Sequence, residues 1–148
     1  DRGTELQRLS QRDDLRRNLR IYSANPLALD MVAYGSDCLL GVAALAPRAF
    51  AARDRALLTG DVAFLERNDA LQHLANVVFR GPLSAWQHSA AQFLHLIGEW
   101  ETEQVHPRLP RRHGSDRVLL HDCAVRLGLL EDPERAWSER VVPYLTSA

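Results

Sequence analysis

Lysine is missing altogether: all eighteen basic residues of the 148 are arginine. Arginine stays protonated and cannot form an imine, so this stretch of sequence carries no side-chain amine nucleophile. Cysteine is nearly as scarce, with only Cys38 and Cys123. Two isolated thiols give neither a disulfide framework nor the paired spacing of a zinc site, and both are expected to be buried and reduced. Net charge is also small, −1 at neutral pH, which removes the electrostatic case for nucleic acid or an anionic membrane as partner. No apolar run approaches the ~20 residues that cross a bilayer, and no charged-then-apolar leader opens the chain. A cytoplasmic location is therefore the expectation. Hydrophobic residues make up 46% of the chain, enough for a real core at this length.

The opening residues combine helix and strand signals. Thr4 and Gln7 have capping-box spacing, which predicts a helix from Thr4 to about Arg17. Leu19 to Ser23 has strand character. Asn25-Pro26 supplies an N-cap and a proline at the first helical position, and Gly35 a stop. Cys38 to Val42 is almost wholly apolar, as in a parallel strand covered on both faces. Helix, strand, helix, strand makes a βαβ unit and predicts α/β architecture. Two strands leave too much unpaired edge, so the chain is expected to be part of a larger sheet.

After Pro47 the strand signal disappears. Helices are predicted over about 47–59, 62–79 and 83–99, punctuated by Gly60-Asp61 and Gly81-Pro82. Leu83, Trp86, Ala90, Phe93 and Ile97 form an apolar stripe at three- and four-residue steps, and Phe64, Leu71, Ala75 and Val78 a less regular one. The proline-broken segment 106–112 cannot be helical and reads as an extended connection. Ser115 is placed to cap a helix carrying Leu119, Cys123 and Leu127, and Asp132-Pro133-Glu134 opens the last one.

Two stretches, Ile21 to Asp30 and Tyr34 to Pro47, carry a family resemblance. Further matches are Thr59-Gly60-Asp61, Phe79-x-x-Pro82, Pro107-x-x-Pro110 and Leu127-Gly128-Leu129-Leu130. In this order and spacing they resemble the seventh and eighth strands, and the helices after them, of the dihydrodipicolinate synthase / N-acetylneuraminate lyase family. The resemblance covers about residues 1–130. It implies a partial (β/α)8 TIM barrel followed by an all-helical extension, with residues 1–60 as the barrel part and 61–148 as the extension. A full barrel takes ~250 residues, so most would lie outside this sequence. Cys38 stands where the family usually has glycine, and Ala44 where asparagine is common.

The implied function is class I aldolase chemistry: a lysine amine attacks the keto group of pyruvate or a related 2-oxo acid, and the iminium serves as electron sink. The resemblance places that lysine just before Asp1, with a tyrosine and a Thr-Thr or Ser-Thr pair earlier still, so no catalytic residue falls in this chain. It leaves only a substrate-pocket floor of Ser23, Ala24, Leu39 and Gly41. No metal or organic cofactor is implied, the partner being a small 2-oxo acid, with a homo-oligomer (dimer or tetramer) expected.

Other residues have plainer readings. His88 and His95, seven apart, could share a helix face, but no carboxylate-supported metal spacing accompanies them. Asp37 with His121-Asp122-Cys123 could be drawn as a catalytic group, yet the sequence context favours surface and core roles. Arg108, Arg111 and Arg112 read as a solvated connector, and Trp86 and Trp100 as packing aromatics. Two alternatives to the lyase remain: a non-enzymatic helical binding or oligomerisation domain, and a family member that binds ligand without catalysis.

Overall fold

The computed structural model describes residues 8, 12, 22–23, 38–39 and 41–145. Of the helix predicted from Thr4 to about Arg17 only Arg8, which is helical, and Arg12, which is not, are described, and the helix predicted from Asn25 falls outside the described residues. The chain forms two compact units, 1–72 and 73–148.

The first unit contains a parallel pair, β1 (Tyr22–Ser23) with β2 (Cys38–Leu39), in the register Tyr22 to Cys38 and Ser23 to Leu39. Two residues of each strand are described. After β2 the chain does not stay extended. Gly41 adopts φ 78° and ψ −92°, and Val42–Ala44 wind into a 3-10 turn with Val42 buried. Helix α1 (Pro47–Thr59) comes next, its proline at the N-terminal end where a missing N–H costs nothing. Gly60 closes it in the left-handed region, with φ 69°. Its amide and that of Asp61 donate back to Leu57 and Ala56, satisfying carbonyls that the helix end leaves open. The Asp61 carboxylate then accepts from the Ala63 amide (2.9 Å) and starts helix α2 (Ala63–Val78).

The core of this unit is Val42, Leu45, Ala46, Phe50, Ala56, Phe64 and Leu71. Arg53 is buried among them, its guanidinium lying over the Phe50 ring at 5.0 Å. It donates twice to Asp54, at 2.6 and 2.8 Å, and once to the buried Asn68 on α2 at 3.4 Å.

The second unit takes up α2 from His73 and continues through a 3-10 turn (Leu83–Ala85) into helix α3 (Trp86–Leu96). A connector over 97–115 leads to α4 (Asp116–Arg126), α5 (Pro133–Arg140) and the short α6 (Val142–Leu145). The side chain of Asp132 caps α5 by accepting from the Arg135 amide at 2.9 Å. Helix α3 is the core element, with His88, Ser89, Ala90, Ala91, Gln92, Phe93 and Leu96 all buried. It packs on α4, whose Leu120, Cys123 and Ala124 are buried, and Leu74, Ala75, Val77, Val78, Ala85, Ala136 and Val141 are buried in the same unit.

The expected partial TIM barrel is not what forms. Among the described residues the fold is helical, with helix following helix from Pro47 to Leu145 and no barrel wall formed. The run 38–42 misled because a short apolar stretch fits a buried turn as well as a buried strand. Three local expectations also change. Leu83 is exposed, so the stripe on α3 is centred elsewhere. Trp100 is half-exposed and Leu119 39% exposed. The Ser115 side chain makes no cap, its Oγ being paired instead with His113 Nδ1 at 2.9 Å.

Candidate functional site

Of the pocket floor implied by the resemblance, the backbone sets two residues side by side. Ser23 and Leu39 are register partners on adjacent strands, a separation of about 4.8 Å. Gly41 lies two residues beyond Leu39, and its carbonyl accepts from the Ala44 amide at 3.0 Å. Its positive φ is a conformation that a residue with a Cβ rarely adopts, so glycine fixes the turn out of β2. Ala24 lies outside the described residues, as does Asp37.

The drawn group His121-Asp122-Cys123 does not converge. His121 Nε2 is 3.0 Å from the Pro133 carbonyl, and its ring stands edge-on to Trp137. Asp122 accepts from Arg126 at 2.7 Å and pairs with His73 at 3.1 Å. The Arg126 hydrogen bond is the first cause holding its carboxyl below the usual range. Cys123 is buried, and burial pushes its thiol up to about 12, so it is a packing group with no thiolate to offer near neutral pH. Among the described residues no three His, Cys, Asp or Glu side chains gather to hold a metal ion.

A polar cluster in the second unit has the most developed chemistry. Arg117 on α4 is wholly buried, with no exposed side-chain surface. Its Nη2 forms an ion pair with Glu103 of the connector and approaches His95 Nδ1 on α3 at 3.3 Å. Nη1 donates to the Arg140 carbonyl at 2.8 Å, and the guanidinium lies 3.6 Å from the centre of the Tyr144 ring. Arg117 Nε alone has no partner. About two turns back along α3, His88 Nδ1 accepts from the Arg112 amide at 2.6 Å. The Arg112 side chain is anchored by Ser89 Oγ (2.9 Å), the Gly81 carbonyl (2.8 Å) and the Arg80 carbonyl (2.6 Å). Arg80 in turn forms an ion pair with Asp116.

The donors in this cluster decide the state of both histidines. A backbone amide and a guanidinium can only donate, so each Nδ1 must accept. Both rings are therefore neutral, with the proton on Nε2. Their electrostatics agree. Burial is the main cause holding His88 below 6.5, helped by Arg111 and Arg117 and opposed by Glu103 and Asp116. His95 is lowered first by burial, then by Arg117 and Arg140, against Glu103.

These are the residues that sequence reasoning passed over. Arg112 is not a solvated connector residue: its side chain is 5% exposed, while Arg108 and Arg111 are exposed. His88 and His95 do share α3, but they face arginine donors. The available signal was an arginine followed five residues later by another, beside a helix rich in Ser and Ala, and it does not separate a buried guanidinium from a surface one. No family model, curated protein or solved structure matches the chain. Among the described residues no helix is long and apolar enough to cross a membrane.

Proposed function

We propose that this chain is the non-nucleophilic C-terminal portion of a lyase of the dihydrodipicolinate synthase / N-acetylneuraminate lyase type, acting on pyruvate or a related 2-oxo acid. The observation that supports it is the in-register pairing of Ser23 with Leu39, with Gly41 turning the chain just beyond. That pairing supports the reading because it sets Ser23 and Leu39, two of the four residues which the resemblance assigns to the pocket floor, on adjacent strands. The Schiff-base lysine is supplied from outside these 148 residues, since they contain none. The chain's own contribution is then to shape the pocket and hold it through its helices.

The test is borohydride trapping with pyruvate on the polypeptide isolated from its native source. One reduced pyruvate adduct on a lysine outside the present sequence is the expected result. Absence of any adduct on that polypeptide would sink the lyase reading. A second reading, a helical interaction module, draws on the exposed apolar side chains Val118, Leu119, Val125, Trp137, Val142 and Leu145 of the second unit. It predicts a concentration-dependent mass in sedimentation together with no adduct.

A further inference from the structure

The connector between α3 and α4 is held in an unusual way. Most of residues 97–115 are exposed, and only Val105 and Leu109 among its aliphatic side chains beyond Ile97 are even half-buried. Apolar burial thus contributes little to its hold. What fastens it is polar and concentrated at two points. At one, the Arg112 amide and guanidinium engage His88, Ser89 and the Arg80 and Gly81 carbonyls. At the other, Glu103 pairs with Arg117, whose same Nη2 is 3.3 Å from His95 Nδ1. The two histidines sit seven residues apart on α3, one at each fastening, and both present Nδ1 as an acceptor to a donor that cannot reverse its role.

We propose that His88 and His95 make this connector an acid-released strap: neutral rings hold it on α3, and protonating them turns each acceptor into a donor facing a donor. At His88 the proton removes the acceptor of the Arg112 amide. At His95 it sets a second cation against Arg117 and near Arg140. The surroundings on every side reinforce this. His88 is faced by Arg111 and Arg112 from the connector and by Arg117 from α4, with Glu103 and Asp116 opposing. His95 is faced by Arg117 from α4, Arg140 from α5 and Tyr144 from α6, with Glu103 opposing. Glu103 and Asp116 are themselves engaged by Arg117 and Arg80, which leaves little free negative charge to welcome an imidazolium.

The direction comes from linkage. Both rings titrate below 6.5 when the strap is closed and close to it when released. The released state therefore binds protons more readily. The hold is complete above about pH 6.5 and weakens as pH falls through the interval down to the closed-state values. Within that interval each histidine changes the opening equilibrium by at most about tenfold per pH unit, and the two together by about a hundredfold.

Hydrogen exchange of the protein isolated from its native source, read by mass spectrometry, tests this, with protection corrected for the intrinsic pH dependence of exchange. Peptides covering 99–112 should lose protection by about ten- to a hundredfold between about pH 7 and pH 5, while those of α1 keep theirs. The double variant H88N/H95N places an amide carbonyl near each Nδ1 position that cannot be protonated there, and should hold the strap at both pH values. Unchanged protection in the wild type, or an equal loss in the variant, would overturn the proposal. A second readout needs no variant. Two-bond 15N correlation of the imidazole rings should show the Nε2–H tautomer for both near pH 7.5, and a proton on Nδ1 of either ring would overturn it too.

Discussion

Removing the Glu103 carboxylate alone should be worse than removing it together with the charge it serves. Arg117 has no exposed side-chain surface and its Nε is already without a partner. In Glu103→Ala the guanidinium keeps the Arg140 carbonyl, His95 Nδ1 and the Tyr144 ring, yet it loses its anion. Stranding a buried charge costs about 3–5 kcal/mol. Glu103 is 22% exposed, so water screens the pair somewhat and the lower end of that range applies. In the double variant E103A/R117M the charge is gone and methionine refills much of the volume. The cost should fall to about 1–2 kcal/mol, because a buried ion pair roughly breaks even against an apolar substitute. Urea unfolding followed by tryptophan fluorescence is a suitable assay. All three tryptophans (Trp86, Trp100 and Trp137) lie in the second unit, so the signal reports on the right part of the molecule. With a urea slope of about 2 kcal/mol per molar, the single variant should lower the midpoint by about 1.5 M and the double by about half of that. A double variant as unstable as the single, or more so, would refute the view that the stranded guanidinium dominates the cost.

Gly114→Ala should destabilise the second unit by about 1–3 kcal/mol, because the new Cβ lands on the Tyr144 backbone carbonyl, which has no rotamer with which to move aside. A thermal melt with no change in Tm would show that the α6 backbone shifts freely. Gly60→Ala meets no atoms, so its cost should come only from the left-handed backbone, about 1 kcal/mol, and urea titration should rank it clearly milder than Gly114→Ala. Phe93→Ala, at a ring with no solvent exposure on α3, should cost about 3–5 kcal/mol by the same assay. Cys123, with its thiol raised to about 12 and no exposed surface, should resist iodoacetamide at mildly alkaline pH until urea unfolds the chain, as read by peptide mapping. Prompt alkylation in the folded protein would count against the described packing of α4.

The parts of the fold that local chemistry specifies were legible in the sequence. Pro47, Gly60-Asp61 and Asp132-Pro133 mark helix ends at positions where the structure has them, since caps and stops act within a few residues. Phe64, Leu71, Ala75 and Val78 are all buried as their spacing suggested. What failed was tertiary in origin. Leu39-Leu40-Gly41-Val42 reads as one apolar strand, but Gly41 swings to positive φ and sends Val42 into a turn, a choice that the composition of the run does not encode. Ser115 stands where a cap belongs, yet His113 competes for its hydroxyl. The arginine–histidine cluster was invisible for a related reason. A charged residue on a helix reads as solvent-facing, and only the assembled partners, spread from position 80 to position 144, make burying Arg117 tolerable.

The fastening at Arg112 also separates two solution variables that usually act together. Its three side-chain hydrogen-bond partners, Ser89 Oγ and the Arg80 and Gly81 carbonyls, are uncharged, the Asp116 carboxylate stands farther off at 3.9 Å, and the side chain is almost fully enclosed. Mobile ions screen charge–charge attraction between exposed groups over a Debye length of about 10 Å at 0.1 M, and have little purchase on a guanidinium held by neutral oxygens. The Arg126–Asp122 pair on the surface of α4 should fade as salt is added. The hydrogen bonds of Arg112 to its neutral partners should fade far less, so added salt should loosen the connector mainly at the Glu103–Arg117 ion pair.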